Sequence, residues 1–469
     1  MRVLIRRAEV DGEVVDVRID GERITHVRPS LRPHADDVVV DARGGALLPG
    51  LHDHHLHVLA LAAAERSVSV GQPDVVDHAS FVETLRRAHR DLPLDRWIRA
   101  VGYHERVAGD LDRHALDAIV RDRPTRVLHR GGALWTLNGA GLAAIGLGPT
   151  RSTDVPEGVE LDADGCPTGR LWRLDTWLGE RVPREPLDLR STSRRLLRCG
   201  VTGLTDATPT DDPGPVQALA RAMESRDIAQ RLMVTGGLAL PRDTNAHVEL
   251  GPVKLLFPDH RPVSLDEMVA GIRVAREQGR TIAVHAVTSA TVALVVAALD
   301  EVGARPGDRI EHGAVIPIGL VRRLADHGLT VVTNPGFVAS RGDDYLADVE
   351  ADEQPDLWRC RSLLDAGVAV AAGTDAPYGD PNPWTAIDAA TRRRTASGAP
   401  LKPDESVPPS TALDMFLSSP DDPGGARRVV RAGASSDLCL LPVPLREALD
   451  DPAAVQPSAV VVRGELIVW

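Results

Sequence analysis

Pro49-Gly-Leu-His-Asp-His-His-Leu-His-Val58 is the stretch on which the reading of this chain turns. In an extended strand, side chains two residues apart share a face. Asp53, His55 and His57 therefore project together, while His52, His54 and Leu56 turn the other way. Two imidazoles on one strand face can hold a divalent metal without any helical spacing.

Working outward, the 469 residues exceed one typical domain, so a large core with additions is expected. Apolar residues make up 43% and charged residues 26%, the balance of a water-soluble globular chain. The longest strongly apolar run, Thr291 to Leu299, is too short to span a bilayer. Nor does the start, Met1-Arg-Val-Leu-Ile-Arg-Arg7, have the form of a secretory signal. Cys166, Cys199, Cys360 and Cys439 are scattered, which fits a reduced cytoplasmic setting. A net charge of −13 argues against nucleic acid or an anionic membrane as partner. A small-molecule substrate is expected, and a homo-oligomer stays open. Of 54 basic residues only Lys254 and Lys402 are lysines. Where a plain cation suffices this chain uses Arg, so a surviving lysine is a candidate for chemistry that needs an amine. Lys402 sits in a loop-like Ala-Pro-Leu-Lys-Pro-Asp run, which leaves Lys254.

Both ends read as short β-strands, among them a hairpin at Val14 to Ile19 and Arg23 to Val27. They predict a small β-sandwich built from residues 1–48 and 430–469. Between them, strands alternate with helices, as at Ser264-Leu-Asp-Glu267, a capping box opening an amphipathic helix. Eight strands follow: that of His55 and His57, Val201 to Asp206, Gln230 to Thr235, Pro252 to Phe257, Thr281 to His285, Arg309 to His312, Leu329 to Thr333 and Val368 to Gly373. Eight strand–helix units predict an α/β fold, a (β/α)8 TIM-type barrel over residues 49–429. The count requires a large insertion after the first barrel strand, residues 59–195, expected to cap the active site.

Barrel active sites form at the carboxyl ends of the strands. Those ends carry His55 and His57, then Lys254, His285, His312 and Asp375. A lone terminal His is ordinarily a core residue, but five strands ending in ligand-type residues are not explained that way. Tyr103, His104 and Trp135, in the insertion, are candidates to line the substrate pocket, with packing as the competing role.

With these residues the chain resembles the amidohydrolase superfamily, on the Pro-Gly-x-x-Asp-x-His-x-His opening at Pro49 to His57 and the downstream His, His and Asp. More narrowly it resembles the branch of N-substituted formamide deformylases and related N-acyl hydrolases, the amidohydrolase 3 branch. Glu157-Gly-Val-Glu-Leu-Asp-Ala-Asp-Gly-Cys-Pro-Thr-Gly169, Gly200-Val-Thr202, Val284-His-Ala286 and Arg309-Ile-Glu-His312 carry that likeness. The resemblance implies that His55 and His57 bind one metal, that His285 and His312 bind a second, and that carboxylated Lys254 bridges both. It further implies that Asp375 ligates the first metal and shuttles the proton. The metal is expected to be zinc, one or two ions, with iron or manganese also suited to His and carboxylate donors. Two features depart from the branch. Val287-Thr288-Ser289 stands where a Gly-Asp pair is usual, and Arg130-Gly-Gly-Ala-Leu-Trp-Thr-Leu-Asn138 lacks a His before the Asn. Glu311 is expected to point away from His312, as a carboxylate supporting the ligands or the structure, and Asp53 to orient an imidazole.

The expected function is metal-dependent hydrolysis of a C–N bond in a small amide, formamide or N-acyl substrate. The alternative is a mononuclear deaminase of a heterocyclic amine. Such deaminases place a Glu three residues after the strand-five His, where this chain has Thr288.

Overall fold

The computed structural model describes residues 2–93, 95–148, 155–183, 185–241, 248–257 and 263–469. The chain divides into two compact units, residues 1–59 with 189–469, and residues 60–188.

In the first unit eight principal parallel strands follow one another among the described residues: β1 (Leu51–Leu56), β2 (Val201–Asp206), β3 (Arg231–Val234), β4 (Val253–Leu255), β5 (Ile282–Ala286), β6 (Arg309–His312), β7 (Thr330–Thr333) and β8 (Ala369–Ala372). Nearly every residue in them is buried, as expected of parallel strands covered on both faces. The expected strand series is thus present, but its ladders form two sheets and not one continuous ring. One runs β1-β2-β3 and ends on the two-residue strand Glu249–Leu250; the other runs β4 to β8 in order. Glu249–Leu250 takes the free edge of β3, so β4 reaches that side through the Lys254 N–H, which donates to the Gly236 carbonyl at 2.8 Å. Beyond the end of β8, the Asp375 N–H donates to the His55 carbonyl at 2.7 Å.

Helices between the strands start where the sequence marks them. Ser264 and Glu267 form the capping box of helix Leu265–Glu277, which buries Met268, Val269, Ile272 and Ala275. Thr288 caps Ser289–Val302 by accepting from the Thr291 N–H, and Gly303, at φ 81°, ends it.

Two four-stranded sheets come from the chain ends. Arg2–Val10, Glu13–Asp20, Arg23–Arg28 and Asp37–Asp41 form one; Leu47–Pro49, Leu438–Leu440, Ala459–Val462 and Glu465–Val468 form the other. Val3, Ile5, Val17 and Ile19 from the first share a single apolar core with Leu438, Leu440 and Val461 from the second. No helix of the described residues is long and apolar enough to cross a membrane.

The 60–188 unit has its own six-stranded sheet, with Ile98–Tyr103 beside Thr125–His129. Helix His78–Asp91, opened by an Asp77/Ser80 capping box, packs Phe81 and Leu85 against Ile98, Ala100 and Val127.

Candidate metal centre

Alternation along β1 sets the centre. His55 is fully buried; its Nδ1 is hydrogen-bonded to the Glu311 carboxylate, and its Nε2 lies 3.6 Å from Asp375 Oδ1. His57 Nε2 lies 3.2 Å from the same oxygen, and its Nδ1 pairs with Thr208 Oγ1 at 3.0 Å. From β6, the His312 ring stands 4.5 Å from that of His55, centroid to centroid, and 4.6 Å from that of His285 at the end of β5. Ligand atoms of His55, His312 and Asp375 all fall within 4.8 Å of one another.

The hydrogen bonds behind these rings decide their tautomers. Asn334 donates its amide to the Gly373 carbonyl at 2.9 Å, which turns Oδ1 toward His312 Nδ1 at 2.8 Å. An amide oxygen can only accept, so His312 carries its proton on Nδ1 and its lone pair on Nε2. A carboxylate on His55 Nδ1 does the same for that ring.

Close approach of β8 to β1 brings the carboxylate in. A Cβ on Gly373 would sit 2.5 Å from the His55 backbone nitrogen, so only glycine fits there. Asp375 and His312 both have left-handed backbone, at φ 55° and 71°. Non-glycine residues pay about 1–3 kcal/mol for that conformation, and such strain clusters at functional sites. The turn at His312 breaks strand alternation, so Glu311 and His312 both reach the centre. Glu311 makes its contact with His55 and not with His312, as a carboxylate behind the imidazole. The expectation for Asp53 is corrected: it accepts from the Thr374 N–H at 3.0 Å, the Thr374 hydroxyl at 2.5 Å and the His55 N–H at 3.1 Å. It thus positions backbone and touches no imidazole, although burial pushes its carboxyl up to about 7.

Burial drives His55 down to about 3 and lowers His312, keeping both rings neutral. It also lowers Lys254 to about 8, against the pull of Glu311. For Asp375, burial is outweighed by the surrounding imidazoles, and its carboxyl lies below the ordinary range. Burial is likewise outweighed for Glu311, by Arg309, Lys254 and His55. Neutral imidazoles around an ionised carboxylate are the donor states a divalent cation requires. His55 Nε2, Asp375 Oδ1 and Lys254 Nζ are buried and make no hydrogen bond. Orphaned buried polar atoms are costly. These residues therefore fit a cation.

Of the predicted ligands, His55, His57, His312 and Asp375 meet directly and His285 meets the His312 ring edge to face. Lys254 Nζ lies 3.9 Å from Glu311 Oε2, the oxygen that bonds His55. The insertion residues belong to the 60–188 unit and are occupied there. Tyr103 is in its core and donates its hydroxyl to the Gly109 carbonyl at 2.5 Å. Trp135 is 3% exposed and donates Nε1 to Asp175 at 2.8 Å, with Arg99 and Arg126 against its ring. His104 caps a short helix. Both Tyr103 and Trp135 are thus buried and hydrogen-bonded within their own unit. His104, Glu105 and His129 also gather, but both rings accept backbone N–H groups at Nδ1. Each imidazole then carries its proton on Nε2, toward Glu105, and presents no lone pair.

Sequence reasoning missed Thr208, Asn334 and Thr374. Asn334 directly follows β7 and Thr208 lies just past β2, two of the three strands, with β3, whose ends carry no predicted ligand, and Thr374 adjoins Asp375.

Parallel strands whose ends gather buried imidazoles around a carboxylate define the metal-dependent hydrolase class. Residues 38–468 match the amidohydrolase family, and the chain belongs to it. It is an enzyme acting on carbon–nitrogen bonds other than peptide bonds. The chain is 26% identical to the N-substituted formamide deformylase of Arthrobacter pascens, over 91% of this chain and 89% of that one. In fold it is similar to an uncharacterized metal-dependent hydrolase from Pyrococcus furiosus, with TM-score 0.69, 18% identity and coverage of 94% and 98%. A second, from Pyrococcus horikoshii OT3, has TM-score 0.70, 17% identity and coverage of 97% on both sides.

Proposed function

We propose that this enzyme hydrolyses the C–N bond of a small amide, formamide or N-acyl substrate. In this reading His55, His57, His285, His312, Asp375 and a carboxylated Lys254 hold one or two divalent cations, zinc first. One observation carries it: three orphaned buried atoms, His55 Nε2, Asp375 Oδ1 and Lys254 Nζ, occur in one cluster of contacting side chains. A lysine lowered by burial has more of the neutral amine that carboxylation consumes. The deformylase relative supports the substrate class. We further read the two parallel sheets as one barrel, and the terminal sheets as its flanking sandwich.

When bound, the cation supplies an acidified water and polarises the substrate carbonyl. Asp375 Oδ1, ionised and facing both His55 and His57, takes the proton of the attacking water and delivers it to the departing nitrogen. Thr208 and Asn334 keep His57 and His312 from rotating. Thr288, where a deaminase would carry its acid, spends its hydroxyl as a helix cap, which counts against the ring-amine alternative.

Metal analysis with a screen of N-formyl amines, N-acyl amino acids and ring amines tests the reading. Two metal equivalents with acid and amine products are expected. Turnover of ring amines alone, or a metal-free active enzyme, overturns it.

A further inference from the structure

We infer that Glu311 is the positioning residue of this metal centre, one carboxylate that holds both arms of the donor set. The inference rests on the metal-centre reading above and assigns a role to a residue outside its ligand set. Glu311 is fully buried, and its two oxygens divide their work. Oε1 accepts from Arg309 Nε at 2.6 Å, which pins the carboxylate plane. Oε2 accepts from His55 Nδ1 and lies 3.9 Å from Lys254 Nζ. One oxygen is therefore shared by the β1 imidazole and the β4 amine, two groups donated by strands in different sheets. Its bond to Nδ1 leaves His55 Nε2 as the lone pair, 3.6 Å from Asp375 Oδ1. Asp308, just before the same strand, shows what a framework carboxylate looks like. It is equally buried, yet its partners are Arg276 at 2.7 Å and the Ile282 and Arg305 N–H groups at 3.1 and 2.8 Å. It touches no metal-type donor among these contacts, whereas Glu311 bonds His55 and forms a 3.9 Å ion pair with Lys254.

Outer carboxylates of this kind typically change metal affinity by about 10- to 100-fold. Glu311→Gln keeps the shape but cannot accept from Arg309 and His55 together. The test compares transfer of Zn²⁺ from the loaded full-length enzyme to a chromogenic chelator, and the visible spectrum of Co²⁺-loaded enzyme, in wild type, E311Q and Asp308→Asn. E311Q is expected to lose Zn²⁺ about 10- to 100-fold more readily, with an altered Co²⁺ spectrum. D308N is expected to lower the melting temperature and leave both metal readouts in place. Zn²⁺ affinity within twofold of wild type and an unchanged Co²⁺ spectrum in E311Q would falsify the assignment. Should E311Q not fold, Arg309→Lys reads the same quantity by loosening Oε1: weaker retention supports the role, and unchanged retention overturns it. A wild-type chain that holds no metal overturns the metal-centre reading itself and this assignment with it; Zn²⁺ bound by wild type and held equally well by E311Q overturns the assignment alone.

Discussion

On the outer face of β1, His52 Nε2 meets Thr205 Oγ1 at 2.9 Å and His54 Nε2 meets Ser418 Oγ at 3.1 Å. On the inner face, His55 Nε2 and His57 Nε2 meet a carboxylate oxygen that no hydrogen bond satisfies. Burial pushes His52, His54 and His55 alike below their ordinary value, so neutrality does not distinguish the faces. The neighbours do. Outward, each ring has a hydroxyl partner, and Arg428 adds positive charge that repels a cation, even though His54 Nδ1 is itself unpaired. Inward, Asp375 supplies negative charge with an open lone pair. Identical side chains on one strand thus become packing or candidate ligands according to what faces them.

The sharpest way to break this contrast is to remove an inner-face group. His57→Ala or Asp375→Asn is expected to lower kcat by about 10³-fold, several kcal/mol of barrier, together with bound metal. Metal content equal to wild type in either variant would dissolve the distinction between the faces. Lys254→Arg keeps a cation but no reactive amine, and about a 100-fold loss of activity with reduced metal is expected; full activity removes the lysine from the centre. On the outer face, Gly203→Ala places a Cβ 2.3 Å from His52 Nδ1. Chemical denaturation should show about 1–3 kcal/mol of destabilisation, with metal stoichiometry untouched. A metal loss there would mean the faces are coupled. The smallest effect is expected in the 60–188 unit, where Tyr103→Phe deletes one hydroxyl bond. Stability should fall by about 1 kcal/mol while kcat/KM holds; a fall in kcat/KM would restore Tyr103 as a substrate residue.

Much of the centre was legible because local backbone fixes side-chain direction. Period-two alternation along Leu51–Leu56, carried one residue past its end, puts His55 and His57 on one side, and parallel strands deliver their last residues to one end. The scarcity of lysine singled out Lys254 from composition. By contrast, Glu311 meets His55 across 256 residues, and Asp53 meets Thr374 across 321. Neither contact leaves a local trace, since any buried carboxylate has the same sequence signature.

The chain by itself determined the strand–helix series, the candidate ligand types and their face on β1, since each follows from a repeat of a few residues. Only the tertiary structure decided which imidazole each carboxylate serves, that His312 and Asp375 bend into left-handed backbone, and that Tyr103 and Trp135 are buried and hydrogen-bonded within their own unit. Those outcomes depend on distant segments competing for the same buried volume and the same hydrogen-bond donors, and no short repeat encodes the winner.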